Sequence, residues 1–109
     1  MSEPDVLDIK HTVIDHAVSG DNTIIAAVLG KRILVVSLFL VSAGIVLVRF
    51  ESGASGTALT GQVSLVANTG FALNNNIYGW FVTAKSTLLN LELSAAISVD
   101  GSISYRVID

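Results

Sequence analysis

Ile33-Leu34-Val35-Val36-Ser37-Leu38-Phe39-Leu40-Val41-Ser42-Ala43-Gly44-Ile45-Val46-Leu47-Val48 is the stretch whose reading decides the fold. It spans 16 residues, broken only by Ser37, Ser42 and Gly44, with Lys31-Arg32 before it and Arg49 after it. A spanning helix needs about 20 apolar residues, so the run is short for a membrane segment. Valine and isoleucine dominate it, and both favour strands because branching at Cβ restricts the side chain in a helix. Ser42-Ala43-Gly44 at its centre has the chemistry of a turn. The acidic start, Met-Ser-Glu-Pro-Asp, and the position of the run also argue against a signal peptide.

Register sharpens the strand reading. If residues 42–44 form a three-residue hairpin loop with Gly44 left-handed, Val41 faces Ile45. One face then pairs Leu40 with Val46, Leu38 with Val48 and Val36 with Phe50, all apolar. The other pairs Val41 with Ile45, Phe39 with Leu47, Ser37 with Arg49 and Val35 with Glu51. A one-residue slip would mix the faces. Phe39, Val41, Ile45 and Leu47 are thereby expected to form an uncovered apolar patch, the candidate oligomer interface.

The remainder reads as short strands separated by turns. Thr23–Leu29 is a strand candidate, followed by Gly30-Lys31 as a two-residue type II′ turn. Residues 52–57 are a flexible loop by composition. Gln62–Ala67, Gly70–Leu73 and Trp80–Thr83 are brief strand candidates. Thr87–Ser94 alternates, with Leu89, Leu91 and Leu93 on one face, which is the half-buried strand pattern. Val99-Asp100-Gly101 is expected to be a second three-residue loop, pairing Ile97 with Ile103. Many short strands with glycine-bearing turns specify an all-β fold: a single antiparallel β-sandwich, jelly-roll-like, over residues 21–109. Residues 1–20 are expected to form an extended N-terminal arm.

Composition narrows the function. The 109 residues hold 51% apolar and 14% charged side chains. The mean hydropathy, +0.69, is high for so few charges. Six basic against nine acidic residues give −3, which argues against a basic nucleic-acid-binding surface. Without cysteine there is no disulfide framework or thiolate metal site. His11, Asp15 and His16 are the only local acid–base cluster, and neither a strand nor a helix converges three of them on a metal. No Gly-x-Ser-x-Gly elbow or phosphate loop occurs. Glu51 and Glu92 alternate with apolar residues as ordinary exposed strand positions do. The expectation is therefore a protein that is not an enzyme and needs no cofactor. Asn74-Asn75-Asn76 with Tyr78 and Trp80 is the richest recognition-type segment. Amides beside aromatic rings could hold a sugar, although Trp80 and Phe81 fit better as the plug of one end of a sandwich, with the Asn run as a solvated loop.

Ile24-Ile25-Ala26-Ala27-Val28-Leu29-Gly30-Lys31-Arg32-Ile33 leads to Phe50-Glu51-Ser52-Gly53. Leu65-Val66-Ala67-Asn68-Thr69-Gly70-Phe71 and Tyr78-Gly79-Trp80-Phe81 follow. Next come Leu88-Leu89-Asn90-Leu91-Glu92-Leu93-Ser94 and Gly101-Ser102-Ile103-Ser104-Tyr105. This order, over residues 20–107, resembles small structural virion proteins of tailed bacteriophages. The resemblance implies a virion location after synthesis in the host cytoplasm. It further implies a capsid decoration, or cement, role, commonly as a trimer, with the major capsid protein or another virion subunit as partner. Head and tail locations both stay open. The alternative is a carbohydrate-binding or receptor-binding tail module using Asn74–Trp80. Neither reading involves nucleic acid or a membrane.

Overall fold

The structure, a computed structural model, describes residues 8–109. Its strands are β1 (Lys10–His16), β2 (Gly20–Ile25), β3 (Arg32–Ser42), β4 (Val46–Ser52), β5 (Thr57–Ala58), β6 (Val63–Leu65), β7 (Thr69–Leu73), β8 (Phe81–Val82), β9 (Leu89–Leu93) and β10 (Val99–Ile108). They build two antiparallel five-stranded sheets. The first runs β1-β10-β3-β7, with β8 also on β3; the second runs β2-β9-β4-β5, with β6 also on β4. The all-β expectation holds, in a sandwich-like arrangement of two sheets. Among the described residues no helix is long and apolar enough to cross a membrane.

The apolar run is two strands, but it is not a hairpin. β3 bonds to β10, β7 and β8, whereas β4 bonds to β9, β5 and β6. Residues 43–45 carry the chain from one sheet to the other. Gly44 has no positive φ. The Ser42 hydroxyl instead braces the connection, accepting the Gly44 N–H at 3.1 Å and donating to the Gly44 carbonyl. Ala43 N–H donates to Ser98 O at 2.9 Å. The expected β3–β4 pairing is absent for a physical reason. A hairpin and an inter-sheet connection put the same residues inward, and Leu38 and Leu40 of one sheet share a buried core with Val46, Val48 and Phe50 of the other.

Two further turns are corrected in the same way. Val99–Gly101 lie inside β10, and Gly101 is extended. A Cβ there would collide with the Phe39 carbonyl, so glycine lets β3 approach closely. Gly30 does not join paired strands, because β2 and β3 lie in different sheets. Lys31 N–H donates to Val28 O at 3.0 Å, which makes Gly30 the third residue of its turn, with φ +76°. That is the positive-φ position of a type II turn rather than a type II′ turn.

One departure from alternation lies within β3. Ser104 pairs with Ser37 but Tyr105 with Val35, so Val36 is an extra residue, a β-bulge. Val35 and Val36 are both fully buried, against the expectation that Val35 faces outward. Leu89, Leu91 and Leu93 are buried on one face as predicted. Phe81 of β8 meets Phe50 of β4 with ring centroids 5.4 Å apart. Within the segment expected to be an arm, Lys10–His16 is β1, paired with β10 from Lys10–Tyr105 to His16–Val99. Residues 1–7 of that segment lie outside the described residues.

Candidate functional site

The outer face of the first sheet is built by alternation. Because Leu38 and Leu40 point inward, Phe39 and Val41 point out. The ladder sets Phe39 between Ala72 of β7 and Ser102 of β10, and Ser102 beside Val13 of β1. Val13 is 69% exposed and Phe39 53%. Ser37, Phe39, Ala72, Leu73, Ser102 and Ser104 line most of an open depression of about 310 Å³. His11, on the same face, bonds to Ser104 through Nδ1 and Oγ at 2.8 Å. Among the described residues no three His, Asp or Glu side chains could hold a metal.

The four residues of the expected apolar patch are all exposed, but the structure does not gather them. Phe39 and Val41 lie on the first sheet. Leu47, between inward-facing Val46 and Val48, lies on the outer face of the second sheet, and Ile45 sits in the connection. The division follows from the inter-sheet route of the chain.

The segment Asn74–Trp80 folds against β3 where the bulge leaves backbone groups free. Val35 and Val36 carbonyls accept Trp80 N–H at 2.8 Å and Asn76 N–H at 2.9 Å. The Trp80 indole N–H donates to Asn74 O at 2.7 Å. Asn76 Oδ1 accepts Tyr78 N–H at 3.0 Å, an Asx-type turn. Gly79 has φ +88°, and a Cβ there would strike the Leu34 side chain. Asn76 and the Trp80 indole are therefore committed to shaping the loop. Asn75 is exposed, and Tyr78 stands 86% exposed.

The second sheet holds the constellation that the sequence did not disclose. Glu51 is fully buried on the outward side of β4, contrary to the exposed position expected for it. The following chain runs beside it in the sheet: β5 pairs Ala58 with Glu51, and Thr60 Oγ1 accepts Phe50 N–H at 3.1 Å. Arg49 donates to Glu51 Oε2 from Nε at 2.9 Å and from Nη2 at 2.6 Å. The same Nη2 donates to Glu92 Oε1 at 2.7 Å. Asn90, also fully buried, donates to Glu51 Oε1 and Asp21 Oδ1, both at 2.8 Å, and accepts Asn22 N–H. Asp21 in turn receives Ser55 N–H at 3.0 Å and Ser55 Oγ–H at 2.9 Å. Ser55 is itself left-handed, with φ +52°.

Opposing effects set the charges of this network. Burial pushes the Glu51 carboxyl up. Its hydrogen bonds with Glu92, Arg49 and Asn90 and the Arg49 charge outweigh that, so it titrates below its ordinary value. Glu92 is pushed above its ordinary value, first by hydrogen bonding with Glu51, then by burial and by the Glu51 charge. The Ser55 hydroxyl and N–H hold Asp21 low. Chemically this is a carboxyl that binds its proton more tightly than usual beside one that releases it more readily, but Glu51 is sealed from solvent. The arrangement ties β2, β4, β9 and the 53–56 loop together. The available signal was Arg49-x-Glu51 and Asn90-x-Glu92: complementary polar side chains two apart, each pair on one face of its strand.

Comparison with protein-family models and with curated proteins finds no match for the chain.

Proposed function

We propose that this protein is a non-enzymatic structural subunit of a virion, a capsid decoration protein built on a jelly-roll-like sandwich. The reading is carried by one observation: the outer face of the first sheet leaves Val13, Phe39 and Val41 uncovered. The charged side chains on the second sheet are meanwhile engaged with one another. An apolar face rimmed by serines suits burial against another protein. The partner is the major capsid protein or another virion subunit. Binding only the assembled shell stabilises it by linkage. The sequence resemblance supports the location in the virion.

Mass spectrometry of purified particles separated into heads and tails tests the location, with the chain expected in the head fraction. F39D is expected to abolish particle binding, while L47D, on the opposite side of the sandwich, leaves it intact. Equal behaviour of the two variants would rule out this face as the docking surface.

The exposure of Tyr78 and Trp80 favours a second reading, a carbohydrate- or receptor-binding tail module. That reading expects Trp80 fluorescence to respond to added oligosaccharide and the chain to partition with tails.

A further inference from the structure

A strand at the margin of a sheet presents unpaired N–H and C=O groups, because alternate residues of an antiparallel strand direct theirs to each side. Most margins in this fold are short or interrupted. β5, β6 and β8 span two, three and two residues, and β7 spans five. β2 shifts register against β9 between Thr23 and Ile25, an irregularity that blunts an edge. β1 differs. Its seven residues, Lys-His-Thr-Val-Ile-Asp-His, pair with β10 without a shift. They include no proline or glycine, and their only lysine is at the start. Among the described residues no strand pairs with the other side of β1.

The edge is also complementary to itself. Antiparallel pairing about a twofold axis at Val13 places Val13 against Val13 of a second copy. Thr12 then faces Ile14, and His11 faces Asp15, twice over. Within one chain Asp15 lies directly opposite Asp100, a destabilising like-charge neighbour. A second copy would bring His11 to the other side of that carboxylate. Lys10 would fall opposite His16, with its ammonium already paired to Asp8 at 3.2 Å. The row Ala72–Phe39–Ser102–Val13 would continue through the axis into its own mirror sequence.

We propose that β1 is a homodimerisation edge: two copies join their first sheets by antiparallel β1–β1 pairing centred on Val13. A twofold contact is isologous, one patch meeting itself, whereas a trimer must match two different patches. β1 meets the first requirement, which separates this contact from the trimer that the sequence resemblance implies. The pairing is independent of what particle the dimer decorates.

Sedimentation velocity of the full chain tests it. The wild type is expected to sediment as a dimer. V13K sets two ammonium groups face to face, and D15K sets lysine against His11. Each should weaken dimerisation by roughly 2- to 5-fold, V13K by opposing two like charges at the axis and D15K by removing the His11–Asp15 pair twice over. The thermal melt of V13K should stay a single cooperative transition, because Val13 is exposed in the monomer, and should lose only the protein-concentration dependence that dimerisation gives the wild type. The double variant H11D/D15K sets a carboxylate against an ammonium twice across the axis and should recover the dimer. A monomeric or trimeric wild type, a dimer indifferent to V13K or to D15K, or a double variant that stays dissociated would each overturn the assignment.

Discussion

The two outer faces of this sandwich arise from the same sequence device and end differently. On β3, Phe39 and Val41 alternate with buried Leu38 and Leu40. On β4, Arg49 and Glu51 alternate with buried Val48 and Phe50. The β3 side chains remain uncovered, whereas on β4 Arg49 is half-buried and Glu51 wholly so. The cause lies in the connections. After β4 the 53–56 loop reaches across to β2, where Ser55 bonds to Asp21, and Arg49 and Asn90 close on the Glu51 carboxylate. The 74–80 segment covers only the Leu34 end of the first sheet, where Arg106 reaches Ile77 O at 3.4 Å. Alternation thus decides which way a side chain points, and the return path of the chain decides whether water still reaches it.

The strongest way to break the contrast is to remove the buried carboxylate. Glu51→Ala takes one acceptor from Arg49, which keeps Glu92, and one from the buried Asn90 amide, which keeps Asp21. Leaving a buried donor under-satisfied costs about 1–3 kcal/mol. Urea denaturation should show this as a lower midpoint at an unchanged slope. Phe39→Ser on the other face should move stability by less than ~0.5 kcal/mol, as exposed substitutions do. Equal losses at the two positions would erase the distinction between a sealed face and an open one.

Gly79→Ala attacks the partial cover on the first sheet. Its positive φ and the collision with Leu34 make a loss of roughly 2 kcal/mol the expected outcome, the scale of a strained backbone conformation. Trp80 fluorescence should shift to the red as its indole leaves Asn74 O. An unshifted spectrum would mean that the loop tolerates alanine by moving elsewhere.

These residues also mark how far the sequence could be read. Inward and outward sets over residues 38–41 and 46–50 were legible, because alternation fixes parity whichever strand lies alongside. Partners were not. The core face of Leu38, Leu40, Val46, Val48 and Phe50 is equally apolar whether the strands pair side by side or face each other across two layers. The bulge at Val36 was hidden because valine follows valine there. The Glu51 network was hidden because burial on an outward face depends on where the following loop docks, and Asn90 and Asp21 join it only through cross-strand pairing. The outward direction of Phe39 needed no such information.

Acid titration sharpens the comparison at smaller amplitude. Asp21 titrates below its ordinary value of 3.8 in the folded chain. Its contribution is therefore present above that pH and is lost as pH falls through the folded value. Asp21→Asn should flatten the acid limb of the stability–pH curve below about 3.8, with little change in its slope between pH 6 and 8. Asp15→Asn on the open face should leave the acid limb as steep as in the wild type. A steep limb in the Asp21 variant would show that the Ser55 clasp does not report on folding.

The smallest expected effect has an unusual sign. Glu92 binds its proton more tightly in the folded chain than its ordinary value of 4.5 implies, because it hydrogen-bonds with Glu51 and feels that charge. A raised folded pKa gives stability that is fully present below the unfolded value and is lost as pH rises through the folded one. At pH 7 the ionised Glu92 is thus a net burden despite its contact with Arg49. Glu92→Gln imitates the protonated acid: its carbonyl can still accept from Arg49 Nη2 while its amide donates towards Glu51. The variant should be slightly more stable than the wild type at pH 7, and the difference should vanish below about pH 4.5, where Glu92 is protonated in both states. Paired thermal melts at pH 7 and pH 4 read this directly. A variant less stable at pH 7 would mean that the Arg49–Glu92 attraction outweighs the carboxylate repulsion. Arg49 would then hold Glu51 and Glu92 as a balanced ion triad at pH 7.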